Sequence, residues 1–320
     1  MAKTSQAWPR ARAALAAIAL SIAAVDSWST EILRDSRNNR LELTISEHFS
    51  PSSKEQVRLW IDQLSDSLTL VYGHWPRQVW AIEVVPASGS SKDPIPWARV
   101  HRGKVDRVNF YVVGNATAAN LVREWTGYHE LSHLLLPYRG WGETWFSEGL
   151  ASYYQNILQA RAGVLTEREM WEKLYQGFLR GREDDHFDGQ SLHSVNSQMR
   201  SNGGYMRVYW SGAWYFLAAD IALRTESKGR VSLDNALQRL NNCCARSSLS
   251  VQEMIDVMDL VSTQKIFGGH YRQTRESEQM PPFEPLFRQL GITVDGGQLI
   301  LQQDGPQAEL RRQFLHSTAL

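Results

Sequence analysis

HELSH, His129–His133, followed downstream by WFSEGLASYY, Trp145–Tyr154, is the stretch on which the fold turns. On a helix, residues four apart stand one above the other on the same face. His129 and His133 therefore present two imidazoles to one point, close enough to share a metal ion. Glu148, in the second segment, offers a third ligand. A catalytic Zn²⁺ takes three protein ligands, His₂Glu being one such set, and leaves a fourth position for water. Glu130 adjoins the first imidazole, from where its carboxylate can reach such a water as general base.

The flanking sequence supports a buried setting. AANLVREWTGYHELSHLLLP, Ala118–Pro137, reads as one helix: Leu121, Trp125, Tyr128, Leu131 and Leu135 recur at three- and four-residue spacing. Thr117 can cap its start and Pro137 marks its end. Two solvated histidines on a surface helix would give the same short string. On a largely buried helix, however, polar side chains need partners, and a metal provides one. A second helix, roughly Thr144 to Ala162, carries Glu148 near its start. The competing third ligand is Glu143, which sits in a Gly-rich turn, RGWGETW, rather than on a helix.

The pair HELSH … WFSEGLASYY resembles the gluzincin metallopeptidases, the clan of thermolysin and the alanyl aminopeptidases. Its wording is most similar to the glycyl-aminopeptidase family within that clan. No Gly-x-x-His follows His133, so the metzincin pattern is absent. The resemblance implies an α+β, thermolysin-like catalytic domain, with a small mixed sheet bearing an edge strand and then a mainly helical subdomain. It implies His129, His133 and Glu148 as ligands of one zinc ion, Glu130 as catalytic base and a peptide or protein as substrate. YMRVYWSGAWYFLAADIALR, Tyr205–Arg224, is similar to the family's Tyr-x-Lys-Gly helix start. Tyr209 falls on the tyrosine, Gly212 on the glycine, and Ser211 replaces the lysine. In the family this phenol donates to the oxyanion of the tetrahedral intermediate, a hydrogen bond that strengthens as negative charge develops. Tyr205 is a second candidate, and either ring could equally be packing on an aromatic-rich helix.

The likeness spans roughly Leu41 to Leu301, ending in MPPFEPLFRQLGITVDGGQLIL, Met280–Leu301, with specific motifs only between His129 and Gly212. Two departures stand out. The Gly-x-Met-Glu-Asn segment with which alanyl aminopeptidases hold the substrate amine is absent, VNFYVVGNAT standing there instead, which leaves exo- and endopeptidase action both open. Thermolysin-like sites also orient a ligand histidine with an acid one turn after the ligand glutamate. That slot here is Ser152.

Outward from the motif, the elements fall in a recognisable order. LELTIS, Leu41–Ser46, alternates like a strand. Ser53–Tyr72 is an amphipathic helix with Val57, Trp60, Ile61, Leu64, Leu68 and Val71 in phase. Val79–Ala87 and Val105–Val113 are further strands, separated by a loop of Ser, Gly, Pro and Lys. In the clan, substrate adds as a strand to the sheet edge beside the zinc; Val108–Val113, just before the metal helix, is the expected edge. Glu167–Arg180 is a helix. Gly181–Gly204 is polar and reads as a long loop, with His186 and His193 solvated in it. The expected organisation is one catalytic domain, 28–320, sheet-rich over about 40–116 and helical over about 117–305.

Composition narrows the function class. Net charge is +0 and the hydrophobic fraction is 42%, so nothing marks a nucleic-acid binder. Lys3, Arg10 and Arg12 precede an apolar run, Ala13–Val25, too short to cross a bilayer comfortably. This fits a secretory signal over 1–27, exporting the chain to a bacterial periplasm with no transmembrane segment in the mature protein. Uncleaved, the same run would be an N-terminal membrane anchor. Cys243 and Cys244 are chain neighbours, which bars them from stapling distant segments. The resulting expectation is a zinc peptidase. The alternative from another class is a non-catalytic zinc-binding scaffold on the same fold, for which an intact Glu130 would be superfluous.

Overall fold

Residues 28–90, 92–137 and 142–319 are described by the computed structural model. The expected leader at 1–27 lies outside the described residues. Among those described, no helix is long and apolar enough to cross a membrane.

The sheet begins one strand earlier than the hydropathy pattern predicts. β1 (Trp28–Arg34) runs antiparallel to β2 (Arg40–Ser46). Leu41, Leu43 and Ile45 alternate inward from β2, as period-two patterning requires. They meet α1 (Pro51–Tyr72), which buries Val57, Trp60, Ile61, Leu64, Leu68 and Val71, the positions selected by its helical phase. Ser50 caps α1 by accepting from the Ser53 N–H, Pro51 occupies the first turn, and Gly73 ends it at φ 86°, a left-handed conformation suited to glycine. β3 (Val79–Ala87) lies parallel beside β2. β4 (Trp97–His101) and β5 (Asp106–Val113) complete a five-stranded mixed sheet of order β1-β2-β3-β5-β4.

That order corrects the expected edge. β5 is paired on both sides: Phe110 stands opposite Val84 of parallel β3 and opposite Ala98 of antiparallel β4. The outer strand is β4. Hydropathy misses it because WARVH follows Pro94 and Pro96 and offers only Ala98 and Val100 as a weak apolar face, both half-buried.

The helix expected over Ala118–Pro137 is also broken. α2 (Ala118–Arg123) ends where Glu124 turns extended, ψ 133°; α3 (Trp125–Ser132) restarts at once and passes into a 3₁₀ turn, His133–Leu135. The break leaves the Arg123 carbonyl without a helical partner, and the Gln159 side chain donates to it at 3.0 Å. Beyond it α3 rests on α1 through Gly127, where an added Cβ would meet Leu64 at 2.9 Å.

The remainder is mainly helical. α4 (Thr144–Arg161), α5 (Glu167–Glu183), α6 (Leu192–Asn202) and α7 (Tyr205–Ser227) surround the site, with α4 packed along α7. α6 falls inside the stretch read as loop: Ser191 caps it, and its buried Leu192, Val195 and Met199 are too sparse to mark a helix in so polar a sequence. α8 (Leu233–Cys244), α9 (Val251–Met258), α10 (Ile266–Arg275) and α11 (Glu284–Gln289) follow. Near the end of the likeness lies a hairpin, β6 (Ile292–Asp295) with β7 (Gln298–Leu301). Cys243 and Cys244 are joined to each other by a disulfide at the end of α8 and so close no loop.

Helical structure continues past 305 with α12 (Pro306–Arg312). The tail then returns across the molecule. Arg161 donates to the carbonyls of Phe314 and His316 while pairing with Asp234, and Ser317 donates to the Val71 carbonyl of α1.

Candidate active site

Three potential ligand atoms converge where α3 crosses the start of α4. His129 Nε2 lies 3.2 Å and His133 Nε2 3.5 Å from Oε2 of Glu148. Among the described residues this trio is the one group of metal-capable side chains that closes on a point, its ligand atoms all within 4.8 Å. Atoms held about 2.1 Å from a common zinc at the tetrahedral angle lie about 3.4 Å apart. The two edges at Glu148 are close to that figure and the imidazole–imidazole edge is within 4.8 Å, so the donor set of His129, His133 and Glu148 fits a zinc ion. Glu143, the competing ligand, is engaged elsewhere: it accepts from the Tyr271 hydroxyl and pairs with Arg275.

Each histidine is oriented by a second contact. His129 Nδ1–H donates to Gln155 Oε1 at 2.8 Å, and His133 Nδ1 shares a hydrogen bond with Ser147 Oγ at 2.9 Å. Fixing the proton on Nδ1 turns the Nε2 lone pair toward the ligand point. Sequence reasoning looked one turn past Glu148, at Ser152, and so missed these groups. Ser147 directly precedes Glu148, and Gln155 lies two turns on along the same face of α4, so the helical period itself was the available signal. Ser152 is buried and lines the adjoining cleft, and among the described residues it is hydrogen-bonded to neither imidazole through its side chain.

The backbone of the metal segment is gripped from the sheet side. Arg77 and Arg102 both bond Oδ2 of buried Asp106, at 2.8 and 2.9 Å. From that shared anchor Arg77 donates to the Leu136 carbonyl at 2.9 Å, and Arg102 donates to the carbonyl of His133. These carbonyls lie at the end of the 3₁₀ turn, where the His133 carbonyl also accepts from the Leu136 N–H at 3.3 Å. Burial alone would raise the Asp106 pKa. The Arg102 charge and the two arginine hydrogen bonds outweigh it and hold the carboxyl below its usual range.

Tyr209 enters from α7. Its ring stacks on His129, centroids 6.2 Å apart and 17° from parallel. Its half-buried hydroxyl faces the Glu148 carboxylate; burial, then the charges of Glu148 and Glu130, raise its pKa well above the usual phenol value. It stays a neutral donor at any physiological pH. Tyr205 is exposed and stands outside Tyr209, 6.4 Å away edge-on. The approach of α7 to α4 depends on Gly149 and Gly212. A Cβ added at Gly212 would fall 2.1 Å from the Trp145 carbonyl.

The charges of the trio are coupled. Burial works against a charged Glu148, yet His133 and His129 hold its carboxyl far below the usual range. Burial likewise opposes a charged His129, and the Glu148 hydrogen bond together with the Glu148 and Glu130 charges overcomes it, raising the imidazole's pKa. The pocket favours positive charge at its centre, which a divalent cation would satisfy. Glu130 is half-buried beside this centre and is not one of the converging ligands.

A cavity of about 570 Å³ opens beside the trio on the side of His129 and Tyr209. Trp125 forms part of its wall, edge-on to His129 at 5.5 Å. β4 runs next to α3, so the free edge of the sheet adjoins the same site.

Comparison with known proteins agrees with this geometry. The family model for M61 glycyl aminopeptidases matches residues 140–213, the segment holding Glu148, Tyr209 and Gly212. No curated protein sequence matches the chain. The fold is shared with an aminopeptidase N family protein from Idiomarina loihiensis, at TM-score 0.61 and 16% identity over 84% of this chain and 50% of that one. It is also shared with an M1 zinc metallopeptidase from Deinococcus radiodurans, at TM-score 0.51 and 14% identity over 80% and 53%. A two-domain M1 zinc metallopeptidase variant bound to L-arginine superposes at TM-score 0.52 and 13% identity, over 80% and 53%. The chain thus spans about half the length of these structures and has the fold of their gluzincin catalytic part.

Proposed function

We propose that this protein is a zinc-dependent peptidase, with one zinc held by His129, His133 and Glu148. The observation that carries the proposal is the convergence of the three ligand atoms, His129 Nε2 and His133 Nε2 lying 3.2 and 3.5 Å from Glu148 Oε2, with both Nδ1 atoms engaged by Gln155 and Ser147 on the far side. A bound zinc would supply Lewis-acid polarisation and a water of lowered pKa.

The chain's own groups divide the remaining work. Substrate backbone pairs with the exposed edge of β4 and lies across the trio. Glu130 accepts a proton from the attacking water at its carboxylate and returns it to the leaving amine. The Tyr209 hydroxyl donates to the oxygen of the scissile carbonyl as it becomes an oxyanion. Gln155 and Ser147 keep the imidazoles in place throughout. The Ala13–Val25 run and its basic flank support export to a periplasm with removal of the leader.

Metal analysis of the purified chain, paired with digestion of a peptide library, tests the reading. About one zinc per chain is expected, together with cleavage that Glu130→Gln abolishes while zinc is retained. A chain without zinc, or undiminished cleavage by Glu130→Gln, would overturn it.

A further inference from the structure

The cavity beside the trio is not electrically neutral in effect. His129 and Tyr209 bound it on one side and α5 on the other. Lys173 and Arg180 lie on that wall seven residues apart, two helical turns along one face. Lys173 has no hydrogen-bond or ion-pair partner among the described residues. Arg180 forms no ion pair among the described residues; its guanidinium lies over the Trp210 ring, 5.2 Å from the centroid. Such stacking leaves the edge N–H groups of a guanidinium available.

Two acids share the wall, and both are occupied. Glu169 closes the cap of α5, accepting from the Thr166 N–H at 2.8 Å and its hydroxyl at 2.9 Å, and also takes Arg123 at 3.2 Å. Glu172 pairs with Arg168 at 3.5 Å. The cations left to face the cavity are therefore Lys173 and Arg180, the latter with the charge of Glu183 acting on it from one turn further along α5.

We propose that this cavity is a substrate subsite that receives a peptide carboxylate, held by Lys173 and Arg180. The proposal rests on the peptidase reading above and adds the substrate class. Lys173 supplies a mobile ammonium. Arg180, fixed against Trp210, supplies paired N–H donors of the spacing a carboxylate accepts. The volume, about 570 Å³, is within the range of small-ligand sites. The carboxylate can come from an Asp or Glu side chain or from a peptide C-terminus.

The test uses the zinc-loaded full chain carrying Glu130→Gln, so that peptides bind without turnover. The probes are alanine pentapeptides with one Glu or one Gln walked through each position, each with a free or amidated C-terminus. Calorimetry should show one Glu position binding about 10-fold tighter than its Gln counterpart, or the free terminus binding about 10-fold tighter than the amide. The first pattern assigns a side-chain carboxylate and the second a terminal one. In either case Lys173→Gln/Arg180→Gln should erase the preference. Equal binding across the set, no binding at all, or a preference undiminished in the double variant would overturn the proposal. Hydrolysis of the same peptides by the unmodified chain is read separately. Cleavage without charge preference sinks the subsite and leaves the peptidase. Charge-selective binding without any cleavage sinks the peptidase and leaves the subsite.

Discussion

Gly149 of α4 and Gly212 of α7 meet backbone to backbone: a Cβ added at Gly149 would fall 2.3 Å from the carbonyl carbon of Gly212. This contact brings the helix of Glu148 against the helix of Tyr209. Ala is ordinarily the better helix residue, by about 1 kcal/mol over Gly. Here that gain is outweighed, because the obstructing atoms are backbone and cannot rotate aside. Gly149→Ala should lower stability by about 1–3 kcal/mol, the usual cost of overpacking, in urea unfolding. Gly269→Ala in α10 is the control. Nothing lies within 4 Å of its added methyl, so it should be neutral or slightly stabilising. Equal effects at the two sites would mean that the close approach is not what matters.

Gln155 governs the proton on His129. Removing its side-chain carbonyl frees Nδ1, and the proton can then move to Nε2, where a metal must bind. Gln155→Ala should weaken zinc binding about 10- to 100-fold, the usual cost of losing such a partner, with little change in unfolding midpoint of the metal-free protein. Competition against a chromogenic chelator measures it. Ser152→Ala, one turn nearer Glu148 but hydrogen-bonded to neither ring among the described residues, should leave affinity unchanged.

The site is unevenly legible in the chain. His129, His133 and Glu148 announce themselves because ligand chemistry allows few residue types and helical period fixes their spacing. Gln155 and Ser147 do not, since amides and hydroxyls are common and their roles depend on how two helices cross. The sheet shows the same division. β2 and α1 carry clean periodic patterns and were readable. β4 has no strong apolar face, and its strand conformation comes from pairing with β5. The break at Glu124 is likewise tertiary: Gln159, thirty-six residues after Arg123, takes the Arg123 carbonyl that the break releases.

Asp106 sets an acid limit on the metal segment. Its carboxyl is held below the usual range in the folded protein by Arg102 and Arg77 against the opposing effect of burial. A depressed carboxyl contributes stability that is present above its unfolded pKa and is lost as pH falls through the lower folded value. Asp106→Asn should therefore cost about 3 kcal/mol at pH 7 by leaving two arginines without their shared anchor. The difference from the unmodified chain should begin to shrink below about pH 4, where the carboxyl of the unfolded chain takes up its proton, and close further as pH falls through the lower folded value. Denaturant unfolding at pH 7 and pH 3 makes the comparison. A gap that stayed constant or widened in acid would contradict the assignment.

Tyr209 separates transition-state stabilisation from packing. Its ring stacks on His129 at 6.2 Å and its hydroxyl faces Glu148. Tyr209→Phe keeps the stack and deletes only the donor. Loss of one oxyanion donor typically costs about 10²–10³ in kcat. Because the hydrogen bond strengthens only as charge develops, KM should move far less, and kcat and kcat/KM should fall together. Tyr205→Phe is the matched control. That ring is 42% exposed and 6.4 Å from Tyr209, so its hydroxyl should contribute within a few-fold. If Tyr205→Phe carried the loss and Tyr209→Phe did not, the donor would belong to the outer tyrosine, reached through closure of the α7 start over substrate. If KM rose while kcat held, Tyr209 would be a binding contact, and the oxyanion would need another donor.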